Sequence, residues 1–124
     1  MSMTKQSIFN QVWKHFVTNN QPLSYSNGQC KYRGDQGARC AVGLLIPDDI
    51  YYPALEGATV TSSKMFPVLR LLGLSDHIVF LNELQDAHDD VALDYGDADE
   101  PGRTATLKNS LMDLALAHGL SCPD

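Results

Sequence analysis

A histidine and an aspartate stand side by side at His88-Asp89, inside the run Gln85-Asp86-Ala87-His88-Asp89-Asp90. Metal-dependent phosphohydrolases use such a pair, an imidazole and a carboxylate on one divalent ion that activates water. That chemistry also needs an earlier His and a later Asp from other helices. His77 and Asp113 qualify by order alone. On an ideal helix, however, His77 shares a face with His88 about 16 Å away, which is too far for one ion. His15 or His118 would have to take its place. The competing reading puts His88 at the end of its helix, where a partly positive imidazole offsets the negative helix terminus. His88 and Asp89 therefore stand as the alternative catalytic pair.

Other chemistries find less support. There is no G-x-S-x-G, no G-x-G-x-x-G and no G-x-x-x-x-G-K-S/T, so neither a nucleophile elbow nor a phosphate cradle is indicated. Cys30, Cys40 and Cys122 form no C-x-x-C pair. An odd number of cysteines, and no apolar export segment in Met1–Lys14, fit free thiols in a reducing cytosol. No metal and no cofactor are expected in the leading reading. Asp94, Asp97 and Asp99 are loosely spaced like a calcium loop but lack the register that wraps the ion. Lys31, Arg33, Arg39 and Arg70 could line a basic pocket for a small ligand such as a nucleotide signal. The plainer account of Lys31, Arg33 and Arg39, clustered on the expected hairpin, is a group of solubilising surface charges.

Charge is placed unevenly. Residues 1–70 hold seven basic and four acidic side chains, while residues 71–124 hold two basic and eleven acidic ones. Between Arg70 and Arg103 there is no Lys or Arg at all. Such a block repels itself, and solvent, a cation or a basic partner must offset that cost. Glu83, Asp86, Asp89, Asp90, Asp94, Asp97 and Asp99 are the candidate contact residues for a basic protein surface. A chain of 124 residues with net charge −6 lacks the positive surplus that general nucleic-acid binding requires. No apolar run reaches the roughly 20 residues of a membrane span.

These residues must be positioned by a modest set of elements, within the length of one domain over residues 1–124. Ile8, Phe9, Val12, Trp13, Phe16 and Val17 form one apolar stripe and predict a helix over Thr4–Asn20, with Thr4 as N-cap. Gln29–Val42 reads as a hairpin turning at Gly34-Asp35-Gln36-Gly37. The apolar run from Cys40 to Ile46 stops at Pro47, and strand and short helix both fit it. A short helix follows from Ser62 or Ser63 to about Leu72, ended by Gly73. Ser75 caps a second, roughly Asp76–Val91, and Asp94–Gly102 reads as a loop. Thr104 opens the last helix, with Leu107, Leu111, Leu114, Ala115 and His118 on one face and Gly119 as its C-cap. The expected fold class is α+β: a helix-dominated single domain of about four helices with one small β-hairpin.

The segment Cys40-Ala-Val-Gly-Leu-Leu-Ile-Pro-Asp-Asp, with Tyr51, Glu56-Gly57, Leu84-Gln85 and His88-Asp89 after it, resembles a group of small uncharacterised bacteriophage and prophage proteins. Those carry a Cys, a hairpin, a Cys-Ala-Val/Ile-Gly-x-Leu-Ile-Pro-Asp segment and a later Leu-Gln-x-x-His-Asp. The resemblance spans about residues 28–90. It implies a phage or mobile-element origin and a bacterial host cytosol, and it brings no established activity. Small phage proteins often modulate host machinery, which favours protein binding by association only. The expectation is a non-catalytic binding protein that engages a basic host surface through its acidic face, as an inhibitor of host defence or nucleic-acid machinery.

Overall fold

A computed structural model of the chain describes residues 4–21, 23–26, 29–34, 37–95 and 101–123. Helix α1 (Lys5–Trp13) starts where expected, because the Thr4 side chain accepts the Ser7 N–H at 3.0 Å. Its stripe of Ile8, Phe9, Val12 and Trp13 is buried. The helix then widens into a π-helical turn, Lys14–Thr18, closed by the Asn19 N–H on the Lys14 carbonyl at 2.8 Å. Phe16 stays in the core through that turn. Asn20, at φ 50°, ends the element in the left-handed region that Asn tolerates.

The short α2 (Phe66–Leu71) begins a few residues later than the serines suggest and ends at Gly73, where the Leu74 N–H returns to the Leu69 carbonyl at 2.8 Å. The expected helix after Ser75 is met by a 3-10 turn, Ser75–His77, leading into α3 (Ile78–Tyr95). Helix α4 (Pro101–His118) packs against it. Both helices therefore extend into the stretch expected to be a loop, with a proline opening α4 at a position where its missing N–H costs nothing. Leu81, Leu84, His88, Val91 and Ala92 of α3 are buried, as are Leu107, Leu111 and Ala115 of α4. Helix α1 lies antiparallel to α4, since Lys5 reaches His118 at one end and Thr104 reaches Asn20 at the other. Past α4, the Leu120 N–H returns to the Ala115 carbonyl at 2.8 Å around Gly119, φ 68°. This is the Schellman closure that a C-terminal glycine allows.

The expected α+β class, with a hairpin over Gln29–Val42, is corrected by the structure: the fold is helical. Among the described residues no strand exceeds two residues. Tyr25–Ser26 pairs with Gln29–Cys30, and Arg33 makes one isolated bridge to Arg39. The apolar pattern is present, and the Gly34 and Cys40 N–H groups reach the Ala38 and Tyr32 carbonyls across the turn, but the neighbouring donors are used elsewhere. The N–H groups of Tyr32 and Arg33 both go to the Glu56 carboxylate, at 2.9 and 3.0 Å. On the other side, the chain after Cys40 coils at once into a 3-10 turn, Gly43–Leu45, with the Leu44 N–H on the Cys40 carbonyl. A ribbon cannot grow when both of its flanks have other partners. The segment instead forms part of an irregular layer that covers α1 and α3.

Candidate functional site

His88 lies within α3 and is fully buried, one turn before the equally buried Ala92. The expected position at a helix terminus is thus corrected, because α3 continues to Tyr95. His88 Nε2 accepts the Ser24 backbone N–H at 3.0 Å, which places the ring proton on Nδ1. From there it donates to Asp89 Oδ1 at 2.8 Å. The same oxygen accepts from Gln85 Nε2 at 2.9 Å, and Gln85 Oε1 accepts the Val42 N–H at 3.0 Å. One continuous chain of hydrogen bonds thereby ties residues 24 and 42 to one turn of α3. Both ring nitrogens of His88 are engaged, so no lone pair faces a metal ion in this arrangement. Among the described residues no group of three or more His, Cys, Asp or Glu side chains is placed to hold one.

Cys40 is equally enclosed. Its Sγ accepts the Gly43 N–H at 3.2 Å. Burial pushes the thiol up to about 12, against the opposing pull of its hydrogen bonds. A protonated, inaccessible thiol is not a nucleophile. A second cluster surrounds Glu56, which accepts from Tyr51 Oη at 2.7 Å besides the two backbone donors. Arg33 stacks over the Tyr51 ring at 4.3 Å, donates to the Ile46 carbonyl at 2.8 Å and pairs with Asp48 at 2.6 Å. Tyr32 Oη donates to the Ala58 carbonyl, and burial raises its phenol above the ordinary range.

Of the expected basic set, Arg33 and Arg39 are brought together, bridged to each other and both facing Asp48. Arg33 is committed to Asp48 and Ile46, and Arg70 is exposed on α2. Of Lys31, Arg33, Arg39 and Arg70, only Arg39 lines an open groove of about 410 Å³. Its other walls come from Gln11, Lys14, His15, Asn19, Gly37 and Leu44. Sequence reading missed Lys14, Gln11 and Asn19. The available signal is their spacing with His15, on the side of the first helix away from the apolar stripe, but nothing local places Arg39 opposite them.

The acidic candidates divide. Asp86 and Asp90 are exposed on α3. Glu83 bonds His118 Nε2 at 2.9 Å and keeps 40% of its side chain exposed. Asp89 is drawn into the His88 network. The Asp94 side chain, Asp97 and Asp99 lie outside the described residues. Burial first, then the neighbouring Asp90, Asp89 and Glu83, raise the Asp86 carboxyl above its ordinary value. No described helix is long and apolar enough to cross a membrane. Comparison with family models, with curated proteins and with solved structures finds no match.

Proposed function

We propose that this chain is a non-catalytic binding protein that engages a basic surface of a host protein through the outward face of α3. In a phage setting, which rests on the sequence resemblance, the target is host defence or nucleic-acid machinery in the bacterial cytosol. One observation carries the reading. At 100° per residue, Val79, Glu83, Asp86, Asp90 and Leu93 fall on a single face of α3. Val79 is 74% and Leu93 55% exposed, and Asp86 and Asp90 between them are exposed. Solvated charge alone explains the carboxylates but not the branched apolar side chains at both ends. A protein contact uses both, with charge steering the encounter and apolar contact holding the pair.

The His-Asp phosphohydrolase alternative loses support from the engaged ring of His88. The binding reading is tested by capture from a bacterial lysate at low and high salt. The wild-type chain is compared with Asp86→Asn/Asp90→Asn and with Val79→Asp. A partner retained by the wild type, weakened by salt and lost from both variants supports it. Retention that is indifferent to salt and to both variants defeats it.

A further inference from the structure

The groove between α1 and the 37–44 segment lies in the basic first part of a chain that is acidic as a whole. Gln11, Lys14, His15 and Asn19 follow one another at i, i+3, i+4 and i+8, so the α-to-π run presents them along one side. Arg39 and Leu44 close the opposite wall. Among the described residues no acidic side chain lines the groove. Lys14 is exposed and has no ion pair or side-chain hydrogen bond among the described residues. Among the described residues the Arg39 guanidinium has a 3.2 Å bond to the Ala38 carbonyl and a distant 3.9 Å approach to Asp48, which is 86% exposed. His15 Nε2 is buried and has no hydrogen-bond partner among the described residues. The His15 ring that lines the groove is therefore held by packing, edge-on to Phe16 at 4.7 Å, and not by a hydrogen bond from Nε2. A π turn at this point fits a binding site, since such turns concentrate at functional positions.

We propose that this groove binds a phosphate monoester of a small molecule. Two cations from separate segments match the two charges of the dianion. The side-chain amides of Gln11 and Asn19 supply further donors, and the guanidinium fork suits phosphate geometry. The volume falls within the roughly 300–1,000 Å³ of small-ligand sites and exceeds what a bare phosphate fills. Leu44 and the His15 ring offer the remaining space to the organic part. This site lies on α1, apart from the α3 face, so either proposal can fail alone.

Calorimetric titration of the full chain with inorganic phosphate, with a nucleoside 5′-monophosphate and with the matching nucleoside tests it. The monophosphate is expected to bind at least about tenfold more tightly than phosphate or nucleoside, a difference of about 1.4 kcal/mol. Lys14→Gln and Arg39→Gln should each weaken it about tenfold, while Arg70→Gln should leave it unchanged. Circular dichroism checks that each variant is folded. Since Lys14 is exposed, its variant keeps the test valid even if Arg39→Gln unfolds. Inorganic phosphate or the nucleoside binding as tightly as the monophosphate, or equal loss in Arg70→Gln, would each overturn the proposal. So would no binding at all by the folded wild-type chain.

Discussion

Gly43 lies so close to Tyr32 that a β-carbon on it would overlap the Tyr32 carbonyl, standing 2.7 Å from its carbon and 2.9 Å from the Tyr32 Cα. The obstacle is backbone, held from the other side by Glu56, so it cannot swing aside as a side chain would. Gly43→Ala is therefore expected to cost about 3 kcal/mol or more, the upper end of overpacking. Gly119→Ala, at φ 68° with open space around it, should cost only the left-handed strain of about 1–2 kcal/mol. Urea denaturation of the two variants checks the order. Equal losses would show that the 43–32 contact yields.

The buried histidine supports the layer over α3 through Ser24. Removing its ring in His88→Ala strands the Ser24 N–H, withdraws a donor from Asp89 and leaves a cavity. A loss of about 3–5 kcal/mol is expected. Asp89→Asn keeps an acceptor for the ring and should cost less. Added manganese should leave the melting temperature of the wild-type chain unchanged, because a metal that binds only the folded state would raise it. A rise seen in the wild type and absent from His88→Ala would restore the metal-site reading.

How far these contacts are legible in the sequence depends on their range. The α1 stripe and its Thr4 cap, the glycine stops at Gly73 and Gly119, and the existence of two long C-terminal helices follow local rules of period and capping. The region 29–58 does not. Its alternation suggests a ribbon, yet Glu56 captures two backbone donors from 24 and 23 residues away, and no local pattern announces that. The run Cys40–Asp48 is distinctive as a pattern. Its reason is packing: Gly43 meets Tyr32, the Val42 N–H meets Gln85, and Asp48 meets Arg33. His88 stands out in the sequence as chemistry, while its burial follows from a partner 64 residues away at Ser24.

Glu56 is the organising acceptor of the irregular layer. Substituting Gln places an amide N–H₂ where one carboxylate oxygen now accepts, and removes the charge that strengthens all three bonds. Hydrogen bonds to a charged group contribute about 1.5–3 kcal/mol each, so Glu56→Gln should destabilise by about 2–4 kcal/mol. Tyr51→Phe, which removes one donor at a partly exposed edge, should lose about 1 kcal/mol. If the two variants are equally stable in thermal melts, Glu56 is not the residue that holds Tyr32 and Arg33.

Cys40 gives the fold a defined alkaline weakness. In the unfolded chain the thiol ionises near 9.0, whereas burial in the folded protein moves it to about 12. Below pH 9 both states hold the proton, and the thiol's contribution is fully present. From pH 9 to 12 the unfolded state releases a proton that the folded state retains. Stability then falls as pH rises, by up to about 1.4 kcal/mol per unit from this group. Tyr51, raised to about 12 by burial and by the Glu56 carboxylate, and Tyr32 add to the decline above pH 10. Cys40→Ser keeps an acceptor for the Gly43 N–H but does not ionise in this range. Its urea midpoint should fall less steeply between pH 9 and 10, where the tyrosines contribute little. Iodoacetamide at pH 8 gives an independent reading, because Cys122 is exposed and Cys40 is not. Native protein should be labelled at Cys122 and protected at Cys40 until denaturant is added. Rapid native labelling of Cys40, or an unchanged slope in Cys40→Ser, would mean that the thiol is open to water.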